Sequence, residues 1–369
     1  MTWSAPEPKS VVRLWIYCPW AGRPVPAIDY LTDLAQVDLS HRLGQASDQR
    51  LWRMARLDCD WQGENVGCLA ALRHPTLEFR PAQVLGASGL AEFVNNFAHR
   101  PAGENWWLVF TGQQPGELPP GVAAKVAAFT RRNGGRVLFY AYDEASRTMP
   151  GFSALAPHLD VLIHDEHPLD PAAAARLPAD CIAQQHSWVA NLVPFAHACH
   201  ENPEPSILFL GSQLGLTPHR ERQIAFLKTR FKNRFVASTD HSIDIAARGA
   251  LNRHQVAFCP EGRKFATPAM SRSHTDRPFW SGCLGMVPVV ENSLAGDRLD
   301  ELAGEGLVLR YPHGDLPALA EACERALAVP AADRRRIHAH FNTHETVGTV
   351  VAGAMATAQA QVWPVACAV

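Results

Sequence analysis

Short apolar runs alternate with stretches whose apolar residues recur at helical spacing, and the alternation persists along most of the chain. Runs at residues 11–18, 106–110, 137–141 and 159–164 predict four strands, with helical patterns at 122–132 and 152–157 between them. A second series follows: strands at 207–210, 234–237, 255–259 and 307–310, and helices at 218–231, 243–251, 316–328 and 346–362. Residues 27–35 and 48–57 also read as helices, inside a stretch, 19–105, whose order the pattern does not fix. Strands and helices in alternation predict parallel sheets covered by helices on both faces.

Two punctuation marks divide this series. Pro203 and Pro205 stop a helix and disfavour a central strand, so residues 201–206 read as a hinge. A strand, then Gly211-Ser212, then a helix follow at once, which is how a Rossmann-like unit opens. The expected domains are therefore 1–202, 203–345, and a terminal helix, 346–369, returning to the first domain.

Residues 274–292 carry the most information. A short amphipathic stretch runs into Gly285, and Met286 opens an apolar strand that ends at Glu291 and Asn292. A helix that stops on glycine and feeds a buried strand is one αβ step of a parallel sheet, and ligands bind where the loops of such sheets converge. Within this segment Arg277, Phe279, Gly285, Pro288 and Val289 stand in a register that resembles the donor-sugar half of GT-B glycosyltransferases, particularly exostosin-like, fucosyltransferase-like and spore-maturation-type members. The similarity spans about residues 135–355 and is strongest after 255. It implies an α/β fold of two Rossmann-like domains facing across a cleft, with the last helix crossing back. One position departs: the family glutamate that grips the donor ribose corresponds to Trp280, with Ser281 after it.

Composition narrows the partners. With 369 residues, 47% hydrophobic and 19% charged, the chain matches ordinary globular protein of two or three domain-sized units. A net charge of −2 supplies no bulk basic field, so nucleic acid is not an expected partner. The nine cysteines are scattered and never spaced as Cys-x-x-Cys, which fits a reducing compartment. The first residues lack a basic stretch followed by an apolar one, and no run of 18 apolar residues occurs. The expectation is a cytoplasmic enzyme with loose peripheral association with a membrane.

Glycosyl transfer from a nucleotide sugar needs charge neutralisation of the departing diphosphate, recognition of the nucleoside, and direction of the acceptor. Gly211 and Ser212, between strand and helix, offer backbone N–H groups for a phosphate, with Arg220 and Arg222 following; a solvated helix face paired through Glu221 is the alternative for the two arginines. The loop Cys259-Pro-Glu-Gly-Arg-Lys264 is similar to donor-site loops of the related families, which implies ribose contacts for Glu261 and phosphate contacts for Arg263 and Lys264; a surface turn is the alternative. Arg277 presents a planar guanidinium that holds phosphate oxygens in pairs. Glu291, at the end of the signature strand, joins this donor-binding set. Asp143 and His186, each after a strand, are the candidate acceptor bases, with Glu144 and His167 as neighbours of the same kind.

No Asp-x-Asp follows a strand, so the diphosphate is expected to leave without a metal, and the 17 histidines, including 164/167 and 338/340/344, are not expected to hold one. Trp20 is the candidate for stacking on a sugar ring. The donor implied is UDP- or GDP-linked, with no other cofactor, and the acceptor a glycan or lipid-linked cell-envelope molecule. Two further readings stand beside this one: a catalytically degenerate relative that binds a glycan or partner, motivated by Trp280, and a nucleotide-sugar epimerase. Walker, Gly-x-Gly-x-x-Gly and Gly-x-Ser-x-Gly motifs are absent, which removes kinase, dinucleotide dehydrogenase and esterase readings.

Overall fold

The computed structural model describes residues 9–17, 25–26, 72, 74–85, 89–112, 120–141, 152–164, 169, 171–186, 199–211, 217–238, 253–260, 277–292 and 298–361. The expected helices at 27–35, 48–57 and 243–251 lie outside them. The chain divides into two compact units: one holds Met1–His164, Leu169–Gln184 and the chain from Gly348 on, and the other holds Asp165–Pro168 and Gln185–Val347.

In chain order the first unit contains β1 (Ser10–Tyr17), β2 (Val25–Pro26), β3 (Leu77–Phe79), β4 (Gln83–Leu85), α1 (Gly89–Ala98), β5 (Glu104–Gly112), α2 (Pro120–Arg132), β6 (Arg136–Ala141), α3 (Phe152–Leu155), β7 (Val161–His164), α4 (Pro171–Ala174) and β8 (Ile182–Gln185). Its sheet runs β2-β4-β1-β5-β6-β7-β8, with β3 also on β1. The pairs of β1 with β5, β5 with β6 and β6 with β7 are parallel, and β2 on β4 is antiparallel.

Aromatic residues make this unit's core. The rings of Trp15 and Trp106 lie 5.1 Å apart, and Phe93 of α1 meets Trp15 edge-on at 5.5 Å. Trp107, Phe139 and Phe152 are also buried, each such side chain contributing about 1.5–3 kcal/mol by leaving water.

The second unit contains β9 (Glu204–Leu210), α5 (Pro218–Phe231), β10 (Phe235–Ser238), β11 (His254–Cys259), α6 (Arg277–Cys283), β12 (Val287–Asn292), α7 (Arg298–Gly304), β13 (Leu309–Pro312), α8 (Leu316–Leu327) and α9 (Ala331–His344). Its sheet order is β10-β9-β11-β12-β13, and every pairing in it is parallel. Parallel pairing requires a crossover between successive strands, and buried strands read as apolar runs such as 256–259 and 287–290.

The hinge reading of residues 201–206 is corrected. Pro205 lies inside β9, a central strand, where the register with β11 slips between His254 and Val256. The irregularity accommodates a residue that cannot donate to the ladder.

Two helices start on side-chain caps. The Thr217 hydroxyl accepts the Arg220 N–H at 3.3 Å ahead of α5, and the Asp315 carboxylate accepts the Ala318 N–H at 2.9 Å ahead of α8. The last helix, α10 (Val347–Ala360), groups with the first unit from Gly348 on. Among the described residues, no helix is long and apolar enough to cross a membrane.

Candidate functional site

The αβ crossovers of the second unit bring Gly211, Pro260, Asn292 and the turn at His313-Gly314 to the C-terminal edge of one sheet, where α5, α6 and α8 begin. Ligand sites of open parallel sheets form there.

The entry to α6 supplies a cation. Arg277 Nε donates to the Leu210 carbonyl at 2.8 Å, and its guanidinium lies 5.8 Å from the centre of the Phe209 ring. A Cβ on Gly211 would stand 3.0 Å from Arg277 Nη2 and 2.7 Å from the Phe209 ring. Glycine is what lets the guanidinium lie against the end of β9. Among the described residues Nε is the guanidinium atom with a hydrogen bond.

The rest of α6 is packing. Phe279, Trp280 and Ser281 are buried, so Trp280 holds its indole inside the unit. Gly285, at φ +74°, ends the helix: Met286 N–H reaches the Ser281 carbonyl at 3.0 Å and Gly285 N–H the Gly282 carbonyl at 2.9 Å. These bonds close the helix with a left-handed residue and aim the chain into β12.

Glu291, at the end of β12, is wholly buried. Its Oε1 faces His219 Nε2 at 2.8 Å, Gln223 Nε2 at 3.0 Å, the Gly314 N–H at 2.8 Å and His313 Nδ1 at 3.2 Å. The His219 and His313 rings stack, with centres 4.6 Å apart. Glu291 thus addresses three side chains and one backbone N–H of its own unit.

His186 is also buried, with Nε2 3.2 Å from the Glu345 carbonyl and its ring 5.8 Å from Phe279. Burial pulls its pKa down to about 4, against the smaller opposing pull of Glu345. The imidazole is neutral at neutral pH and a weak base. Burial pushes Glu345 up, but the bonds from Arg298 and the nearby His186 and His340 outweigh it and hold its carboxyl below the usual range.

The structure therefore brings Gly211 and Arg277 together and puts Glu291 along the same edge. Arg220 is on α5 and buried, whereas Arg222 is exposed. Asp143, Ser212, Glu261, Arg263 and Lys264 lie outside the described residues, as do Trp20, Glu144 and His167. Sequence reasoning passed over His219, Gln223, His313 and Gly314. The rule that selected Gly211, the residue just past a strand, applies equally to His313, and His219 sits in the first turn of the helix that follows β9.

No protein-family model and no curated protein sequence matches the chain. Solved structures do. The fold is similar to that of an α-glucosyltransferase solved with UDP and a 13-mer DNA containing a central A:G mismatch, over 95% of this chain and 99% of the other, at 10% identity and a TM-score of 0.51. HepE of Anabaena, solved with UDP and glucose, matches over 95% of this chain and 100% of its own at 11% identity and a TM-score of 0.46. The first likeness bears out the expected fold class, two Rossmann-like α/β units of the GT-B kind.

Proposed function

We propose that this chain is a glycosyltransferase that takes a sugar from a UDP- or GDP-linked donor bound at the C-terminal edge of the second sheet. The observation that carries the reading is Arg277 laid against Gly211 where a strand gives way to a helix, its Nε held by the Leu210 carbonyl. A fixed guanidinium and backbone N–H groups neutralise a leaving diphosphate without a metal. The similar α-glucosyltransferase was solved with UDP, which accords with this use of the fold.

Within the proposal, Ser212, Arg263 and Lys264 join Arg277 on the diphosphate and Glu261 takes the ribose, the role that the families this chain resembles give to the position of Trp280. Asp143 is the acceptor base for an inverting route. Arg220 of α5 is a further candidate for the diphosphate. The acceptor is a cell-envelope glycan or lipid-linked saccharide, reached in the cytoplasm or at a membrane surface. The net charge of −2 argues against carrying over the DNA of the similar enzyme.

Calorimetric titration with UDP-, GDP- and CMP-sugars, followed by assay of donor hydrolysis, tests the proposal. Saturable binding to one nucleotide series with turnover is expected; no binding across the panel refutes it. A second reading, a degenerate GT-B chain that binds a glycan or partner without catalysis, is favoured by Trp280, buried where the families this chain resembles have a glutamate. Donor binding with no hydrolysis and no transfer to any acceptor would select it.

A further inference from the structure

We propose that His219, Glu291 and His313 form a binding site for a divalent transition-metal ion of the zinc class, separate from the diphosphate position at Arg277. The potential ligand atoms, two imidazole nitrogens and a carboxylate oxygen, all lie within 4.8 Å of one another. His219 Nε2 and His313 Nδ1 are 2.8 and 3.2 Å from the same Glu291 oxygen. Ligand atoms bound to tetrahedral zinc at about 2.0–2.1 Å stand about 3.3 Å apart, so small side-chain rotations convert one arrangement into the other.

Hydrogen bonding alone accounts poorly for the convergence. Three hydrogen-bonding groups converge on Glu291 Oε1, the His219 ring, the Gln223 amide and the Gly314 N–H, and His313 Nδ1 also lies 3.2 Å from it, while the second oxygen is reached by His219 alone at 3.0 Å among the described residues. A carboxylate oxygen has about two lone pairs, so this acceptor is oversubscribed. A cation shared between the rings and the carboxylate resolves the excess: each ring turns a lone pair to the ion, and its proton moves to the other ring nitrogen. Gln223 and Gly314 then act as the outer partners that hold a metal-binding carboxylate in place. Gln223 is itself held, its amide also donating to the Tyr311 hydroxyl at 3.0 Å, and Arg310 fixes the Glu291 carbonyl at 3.2 Å.

Burial grades across the cluster as a three-ligand site requires. Glu291 is fully enclosed, the His219 side chain is 21% exposed and that of His313 42%. The fourth position therefore faces solvent, open to water or an anionic ligand. The ligands come from the first turn of α5, the end of β12 and the turn between β13 and α8, so a bound ion ties three separate elements at the sheet edge.

The test uses the full chain stripped with a chelator and then titrated with Zn²⁺ against a competing indicator dye, and separately with Co²⁺. Expected are one equivalent bound with Kd below about 1 μM, Co²⁺ visible bands of a nitrogen–oxygen site without a thiolate charge-transfer band, and at least tenfold weaker binding in His313→Ala. Zn²⁺ should raise the Tm of the wild type and not that of the variant. Because His313 is half-exposed, its removal leaves the buried packing intact, and His219→Ala provides a second reading. No binding tighter than about 10 μM, unchanged affinity in His313→Ala, or a thiolate band showing that cysteines hold the ion would each overturn the assignment.

Discussion

Replacing Arg277 by alanine is the most direct assault on the proposed donor site, and its size follows from how the side chain is held. Nε is committed to the Leu210 carbonyl at 2.8 Å and the guanidinium centre lies 5.8 Å from the Phe209 ring, so in the proposed complex Nη1 and Nη2 are the atoms that meet the diphosphate, as one bidentate face. A hydrogen bond to a charged group contributes about 1.5–3 kcal/mol, and pre-ordering by Leu210 and Phe209 means little rotamer entropy is lost on binding. Loss of that face should weaken UDP or GDP binding by about 2–3 kcal/mol, roughly 30- to 150-fold in Kd. Arg277→Lys should recover less than half of the loss, because an ammonium cannot both hold Leu210 and offer a planar pair.

Isothermal titration of the free nucleotide diphosphate into each variant measures this directly. Arg222→Ala, on the exposed face of α5, serves as the control for a general change of surface charge and should bind like the wild type. Since the Leu210 carbonyl loses a partner, thermal unfolding must accompany the titrations to show that the variants remain folded. Wild-type affinity in a folded Arg277→Ala protein would refute the placement of the diphosphate.

Three further outcomes are expected. Gly211→Ala puts a methyl 2.7 Å from the Phe209 ring and 3.0 Å from Arg277 Nη2, so it should displace the guanidinium and weaken nucleotide binding in titrations like those above. Gly285→Ala forces a side chain into φ +74° and to within 2.4 Å of Cys199 Sγ; urea unfolding should show a loss of at least about 1–2 kcal/mol, only partly regained in the double variant with Cys199→Ala. His186 has a folded pKa of about 4 against about 6.5 unfolded, so its contribution to stability is complete above pH 6.5 and is lost as pH falls toward 4; urea unfolding at pH 7 and 4.5 should show about 2–3 kcal/mol of acid destabilisation that His186→Phe flattens.

Much of the second unit could be read from the chain because its strands β11 and β12 are buried on both faces and its helices carry strong ends. The spacing from Pro218 to Phe231 matches α5 residue for residue, and Gly285 marks the end of α6. What escaped had weak local signals. The helix α9 is largely polar and is held by a few buried contacts, among them Phe341 and an Arg334 guanidinium bonded to the His200 and Glu201 carbonyls. Pro205 was misread because a ladder irregularity is a property of two strands and not of one. The residues around Glu291 were missed for the same reason: His219 is 72 positions away, and only the strand order unites them.

That strand order also separates the two proposed binding positions. Arg277 is fastened to the end of β9, and Glu291 closes β12, with β11 between them. Neighbouring strands are about 4.8 Å apart, so the two strand axes are separated by about 10 Å. A metal that neutralises a diphosphate binds its oxygens at about 2.0–2.2 Å, so an ion held by His219, Glu291 and His313, beyond β11 along the edge, is proposed to act apart from phosphates held at Arg277. Metal-independent departure of the nucleotide and a metal site on the same sheet are therefore compatible. The separation is itself testable: removing the ion with a chelator should leave the Kd for UDP or GDP within about twofold, whereas Arg277→Ala should leave the Kd for Zn²⁺ unchanged. Strong coupling in either direction would mean that one ligand occupies both positions, and the two sites would have to be merged into one.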